Sequence, residues 1–355
     1  MRERINEMKL LIITQKVDKN DDVLGFMHRW IEEFAKHYEF LTVVCLDEGE
    51  YDLPKNVIVF SLGKEQGVSK FRYVLNFYKY IWQERNNYDA VFVHMNQEYV
   101  LMGGFIWKML SKKILFWRNH PMGNFLTNFS VFLSNIVFCA SPFAYTARFK
   151  KTKVMPVGID TDKFSPNTDR HVINNKIVYV GRISPIKYIE LIIEAIKILN
   201  DRGVRCLLEV YGKPVPRVED TKYFEKLKKM VNEGGLKEQV IFNDPVPNSI
   251  VPGLYRDAAL SVNVTTTGSM DKTIFEAMAC GVPVVTSNQA MLDSFPELVC
   301  LENNPIDLAE KIDCITKMNE KGRLELSRKV RGYIQREHSI DLLVGKIDSF
   351  VVGKQ

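Results

Sequence analysis
The chain has 355 residues, 46% of them hydrophobic and 26% charged, with a formal net charge of +5 at pH 7. That length exceeds one typical domain and predicts two, each with enough apolar residues for its own core. The mild positive charge reads as evenly spread. It favours anionic ligands or a membrane surface, and the lack of a Lys/Arg stripe interleaved with aromatics speaks against nucleic acid as a partner.

The first residues, MRERINEM, have no apolar h-region, so no signal peptide is expected. Residues 9–14 (KLLIIT) read as a buried strand. Asp21 and Asp22 precede a helix to about His37, in which Phe26, Trp30, Ile31 and Phe34 recur at the 3.6-residue period. Strands are expected at 41–46, 57–62, 90–94 and 114–117, with helices at 71–85 and about 99–110. Residues 121–147 carry no charge and are long enough to span a bilayer. Asn124, Asn128, Ser130, Ser134, Asn135 and Pro142 interrupt them, so a helix followed by a buried strand at 135–140 is expected instead.

The polar stretch 165–175 is the linker candidate. A second alternating set follows, with strands at 177–180, 206–211, 240–242 and 259–264 and helices at 188–200 and 223–232. Helices at 308–316, 322–336 and 340–351 close the chain. The prediction is an α/β protein of two doubly wound, Rossmann-like halves with a cleft between them. Six cysteines without a CxxC pair read as reduced core residues of a cytoplasmic protein, and no metal site is indicated.

The segment 265–286 (TTTGSMDKTIFEAMACGVPVVT) organises the second half. A polar loop runs into a helix at Lys272–Ala279, with Ile274, Phe275 and Met278 on one face and Glu276 on another. Gly281 and Pro283 then lead into a buried strand at 282–285. Loop, helix N-terminus and parallel strand together hold anions in α/β proteins, although a plain helix cap accounts for the loop alone. Arg182 follows a strand and Lys187 precedes a helix. Two cations at such an edge suit a diphosphate, and surface solvation is the other reading. His94 and His120 also end strands, where such sheets place their sites; His94 reads as structural.

The segment EAMACGVPVV (276–285) resembles the signature of retaining glycosyltransferases of the GT-B fold, family 4 (group 1). The likeness extends, in order and spacing, to VGIDTDKF (157–164), YVGRISPIKYIEL (179–191) and YRDAA (255–259); the N-terminal half is only loosely similar. The resemblance implies an acceptor domain at 1–165, with 338–355 crossing back onto it, and a donor domain at 176–337. It also implies metal-independent transfer of a hexose from a nucleotide diphosphate sugar, the co-substrate, to a glycan or lipid-linked acceptor, with no tightly bound cofactor. In the family, the residues matching Arg182 and Lys187 bind the diphosphate and stabilise it as leaving group. Glu276 matches the residue that holds the ribose, Val246 lies where the base is held through backbone groups, and His120 matches a histidine near the donor sugar. Gly25 and the acidic loop 18–22 stand in place of a glycine-rich loop on the acceptor side.

The family's partner glutamate is here Gly268, followed by Ser269, Met270 and Asp271, which leaves the sugar contact open. Asp271 neutralised by Lys272 would substitute, or Ser269 or Asp271 would cap the helix. Two rival readings stand beside transfer: a sugar-nucleotide epimerase of the same fold, and a non-catalytic sugar-nucleotide or glycan binder. Finally, Lys108, Lys112 and Lys113 lie among Phe105, Ile106, Trp107, Leu110, Phe116 and Trp117. They would make a basic aromatic face for peripheral contact with the cytoplasmic side of the inner membrane, or they are ordinary core packing.

Overall fold
A computed structural model describes residues 6–21, 23–166, 173–268 and 270–353. The chain divides into two units, Met1–Gly158 with Ile340–Gln355, and Ile159–Ser339.

The first unit runs β1 (Asn6–Val17), α1 (Phe26–His37), β2 (Tyr38–Glu48), β3 (Val57–Ser61), α2 (Lys70–Gln83), β4 (Ala90–His94), α3 (Gln97–Met109), β5 (Lys113–Trp117), α4 (Phe125–Leu133), β6 (Ile136–Cys139) and β7 (Thr152–Val154). These strands pair in parallel in the order β3-β2-β1-β4-β5-β6-β7. Leu10 to Ile13 of β1 and all of β4 are buried, because inner strands of a parallel sheet are covered on both faces.

The second unit runs β8 (Ile173–Val180), α5 (Ile189–Asp201), β9 (Leu207–Tyr211), α6 (Val218–Glu233), β10 (Val240–Asn243), α7 (Val251–Arg256), β11 (Ala258–Asn263), α8 (Lys272–Ala279), β12 (Val284–Thr286), α9 (Pro305–Thr316) and α10 (Glu320–Glu337). Its strands are also parallel, in the order β10-β9-β8-β11-β12. The α/β, doubly wound architecture read from the alternation is therefore the one found. In each sheet the order reverses once, between β1 and β4 and between β8 and β11. Ligand sites in such sheets form past the C-terminal ends of those two strands.

Two elements were not expected. The edge strand β7 has three residues, two of them exposed, and so carries no apolar pattern. Helix α7 has six, with Pro252 and Gly253 among them, and is set by burial of Val251 and Tyr255 rather than by propensity. Strand β8 begins inside the stretch read as a linker, because its first three residues are exposed and polar or flanked by polar ones. Residues 167–172 of that stretch, and Asp22 of the acidic loop, lie outside the described residues.

The last helix, α11 (Ile340–Val352), belongs to the first unit. The Trp30 indole Nε1–H donates to Gly158 O at 2.9 Å, and Lys113 Nζ donates to Phe350 O at 2.6 Å. Gly158 has φ +75°, and a Cβ there would collide with Leu343 of α11 and lie 2.8 Å from Trp30. Only glycine meets both demands. Gly158→Ala is expected to destabilise the first unit by about 2–4 kcal/mol, from left-handed backbone plus overpacking. A urea midpoint unchanged at constant m-value would refute this.

Candidate functional site
The second unit gathers its polar groups past β8 and β11. Gly181 follows β8, and its N–H donates to Tyr211 O at 3.0 Å, while Ile183 N–H donates to Lys213 O at 3.1 Å. A Cβ on Gly212 would run into Gly181 O, so two bare backbones pass here side by side. Arg182 leaves this loop with an exposed side chain. A single 3-10 turn, Pro185–Lys187, then ends at Tyr188 in the left-handed conformation, φ 50°. The first amide of α5, Ile189 N–H, donates to the Tyr223 hydroxyl at 2.7 Å, and that hydroxyl donates to Glu190. The start of the helix after Lys187 is thus taken by a tyrosine.

The turn delivers Lys187 to the loop after β11. Its Nζ lies 2.5 Å from Asp271 Oδ2 and 3.4 Å from Thr265 Oγ1. The same carboxylate oxygen accepts from Asn263 Nδ2 at 3.1 Å and from Thr265 Oγ1 at 3.0 Å. Burial raises the Asp271 pKa, but the Lys187 ammonium and the three hydrogen bonds outweigh burial and hold it below the usual carboxylate range. Two expectations for Asp271 are corrected here. Its neutralising cation is Lys187 and not Lys272, and its side chain does not cap α8. The Asp271 side chain therefore does not occupy the backbone N–H groups of the first turn, the groups that hold an anion at a helix start.

Ser269 lies outside the described residues. Gly268 is buried with φ +131°, a conformation that favours glycine. Beside it, Thr267 N–H donates to Glu302 Oε1 at 2.8 Å. A carboxylate therefore reaches this loop from a distant part of the chain.

Glu276, for which an exposed helix position was the simple alternative, is buried on α8 one turn after Lys272. Burial pushes its carboxyl up, opposed by the charges of Lys272 and Lys163 and a hydrogen bond from Asn248. Burial likewise pushes the Lys272 ammonium down, opposed by Glu276. Lys163 Nζ donates to Asn248 Oδ1 at 2.5 Å. Two arginines fix the Lys163 segment. Arg331 donates to Phe164 O (2.5 Å), Ala279 O (2.7 Å) and Thr161 O (2.9 Å), and Arg256 donates to Ser165 O (2.6 Å) and Lys163 O (3.2 Å). Val246 is half-buried two residues before Asn248, in the loop after β10.

Structure thus brings Lys187 to Asp271 and Lys272 to Glu276. Sequence reading missed Lys163, Asn248, Asn263, Glu302 and Arg331 as participants. Lys163 sits within VGIDTDKF and Arg256 within YRDAA, so position was legible while partnership was not.

The remaining candidates belong to the first unit. His120 is exposed after β5, and its Nδ1 accepts from Met122 N–H at 3.0 Å. Gly25 precedes α1, and a Cβ there would lie 2.5 Å from Asp21 O. Lys16 Nζ sits 3.1 Å from Asp18 and 2.9 Å from Asp21, neutralising the acidic loop from within. His94 is buried among the rings of Phe26, Trp30 and Trp117.

Residues 160–336 match the family model of Glycosyl transferases group 1. The D-inositol 3-phosphate glycosyltransferase of Geodermatophilus obscurus is 26% identical over 216 residues, 56% of this chain and 48% of that protein. The GDP-mannose-dependent alpha-(1-6)-phosphatidylinositol monomannoside mannosyltransferase of Mycolicibacterium smegmatis is 28% identical over 147 residues, 37% of each chain. The matches thus span less than half the length of these curated relatives. HepE of Anabaena, solved with UDP, superposes with a TM-score of 0.77 at 17% identity, covering 98% of this chain and 100% of that one. The chain has the GT-B fold and belongs to the group 1 glycosyltransferases.

Proposed function
We propose that this protein is a retaining hexosyltransferase that works without a metal ion, on the cytoplasmic side of the inner membrane. It moves a hexose from a nucleotide diphosphate sugar to a glycan or lipid-linked acceptor. The observation that carries this reading is the Lys187–Asp271 pair, set between the ends of β8 and β11 beside the start of α8. Arg182, exposed on the same edge, adds a second cation. Two further facts support it: HepE is solved with UDP and with UDP-glucose, and the M. smegmatis relative is named for a lipid-linked acceptor.

In this reading the second unit binds the donor and the first unit the acceptor. The diphosphate lies against the α8 amides, with Arg182 and Lys187 on its oxygens. Glu276 accepts from the vicinal ribose hydroxyls, held in orientation by Asn248 and Lys163, and the Val246 loop meets the base. Asp271 takes over the sugar hydroxyls that the absent glutamate at Gly268 would have held. Ser269 and Lys272 complete the loop at the diphosphate. His120 serves the donor sugar, and Gly25 lets the loop after β1 approach the acceptor.

Transfer proceeds on one face of the sugar. The acceptor oxygen bonds to the anomeric carbon as the carbon–phosphate-oxygen bond breaks, and the hydroxyl proton passes to the departing phosphate oxygen. The charge that grows on the diphosphate meets fixed cations and amides, which is where the rate enhancement originates. Gly268, lacking a carboxylate, is the feature that favours a non-catalytic binder instead. Incubation with a panel of nucleotide sugars, with and without acceptor extract, separates the readings. Acceptor-dependent glycoside supports transfer, acceptor-free sugar conversion indicates an epimerase, and binding without turnover a binder.

Arg182→Ala and Lys187→Ala should each lower kcat/KM by roughly ten- to a hundredfold. Because Lys187→Ala leaves a half-buried carboxylate without its cation, its urea midpoint is measured alongside. Wild-type rates in both variants would remove these cations from the reaction. Asp271→Asn separates the two tasks assigned to this edge. It should leave nucleoside diphosphate affinity equal or tighter, since a negative charge beside the phosphates is gone, yet lower kcat by about tenfold or more. Weakened diphosphate binding with normal kcat would overturn the assignment of Asp271 to the sugar.

A further inference from the structure
Helix α4 carries apolar side chains on its outer face as well as on its buried one. Asn124 and Thr127 cap its start reciprocally, so its register is fixed. Its buried face carries Val131 and Leu133, packed in the core, and beside them Thr127 and Ser130, whose hydroxyls bond Gln97 Oε1 at 2.8 Å and Leu126 O at 2.9 Å. Its outer face carries Phe125, Phe129 and Phe132, four and three residues apart, on one stripe. Phe125 is 77% exposed and Phe132 65%. The three rings run in a row, with centroids 6.4 and 6.0 Å apart and planes within 6° and 14°. Helix α3 extends the row with Phe105, 6.1 Å from Phe129, and with Met109, 75% exposed. A surface helix ordinarily turns such a stripe inward, and a contiguous apolar patch of this kind marks an interaction face.

Cations rim the patch. Lys108 Nζ lies 4.9 Å from the Phe132 ring, and Lys151 Nζ donates to Val131 O and Ser134 O at the end of α4. Arg148 stacks 3.8 Å over Tyr145, whose hydroxyl donates to Asn128 of α4 at 2.9 Å. From residue 99 to 159 there is no Asp or Glu at all, against eight Lys and Arg. The net charge is therefore concentrated here and not evenly spread.

We infer that this α3–α4 face docks on an anionic lipid bilayer, its phenylalanines entering the interface and its cations meeting the headgroups. The inference locates the membrane contact proposed above and rests on that part of the proposal. It also corrects the residues first considered. Trp107, Phe116 and Trp117 are core, and Lys112 and Lys113 donate to the carbonyls of Tyr88 and Phe350. No helix among the described residues is long and apolar enough to cross a membrane, and α4, with nine residues, suits an orientation in the plane. A second copy of this chain is the poorer occupant, since a two-fold contact would press one carboxylate-free cationic rim against another.

The test is sedimentation of the full chain with vesicles of phosphatidylcholine alone or mixed with phosphatidylglycerol. Binding is expected to the mixed vesicles and to fall steeply with added salt. The triple variant Phe105→Ser, Phe125→Ser, Phe132→Ser, at the three most exposed rings of the row, should lose about tenfold or more of that binding while keeping its urea midpoint. Lys108→Glu with Arg148→Glu should weaken it as well. Absence of binding, equal binding to both vesicles, or a triple variant that binds as wild type would overturn the inference. So would concentration-dependent dimers abolished by the triple variant. UDP affinity, measured on the same samples, reports on the donor site, so either reading can fail without the other.

Discussion
A single ion pair between two strand ends, Lys187 with Asp271, ties the second unit's polar groups together. A half-buried pair of this kind adds little net stability, because desolvation of both charges offsets most of their attraction. Removing one partner is costly all the same, for it leaves the other charge in a poor solvent. The pair is thus better explained as a constraint on position than as a source of stability. It explains the local oddities on both sides. The left-handed Tyr188 aims Lys187 across the strand reversal, and Asn263 and Thr265 hold the carboxylate that meets it. Asp271 is thereby withdrawn from capping α8.

Behind that edge, a second network fixes Glu276. A buried carboxylate is expensive unless charges and hydrogen bonds surround it, and Lys272, Lys163 and Asn248 do so from three separate segments. The two arginine clamps, Arg256 and Arg331, act on backbone carbonyls and not on the carboxylate itself. Their effect is to fix the segment bearing Lys163, so that the Glu276 environment is rigid before any ligand arrives. Preorganisation of this sort is what lets charges act without reorganising during a reaction.

The first unit spends its polarity differently. The acidic loop after β1 is neutralised internally by Lys16, and His94 is shut inside aromatic rings. Helix α4, in contrast, leaves Phe125 and Phe132 in water while burying the hydroxyls of Thr127 and Ser130 beside Val131 and Leu133. Folding alone gives no reason to leave two such rings exposed on one helix. A surface function accounts for it.

Alternation of buried strands with amphipathic helices was enough, in the sequence, to determine the class of fold, because inner parallel strands must be apolar throughout and helices must show a stripe. Short elements such as β7 and α7 escaped, their lengths being too small for any period to register. Lys187, Glu276 and Asp271 were legible as candidates by their place beside strand ends and in motifs. Their partners were not. Asp271 had Lys272 as its sequence neighbour and Lys187 as its actual counterion, 84 residues away. Adjacent residues on a helix start point in different directions, while strand order brings distant loops side by side. The outward turn of α4 was hidden for a similar reason: its stripe of phenylalanines is equally good as a buried face. Sequence alone determines that such a stripe exists; the tertiary structure decides which way it faces, because Val131 and Leu133 on the other side enter the core and Gln97 hydrogen-bonds Thr127 and Ser130 beside them.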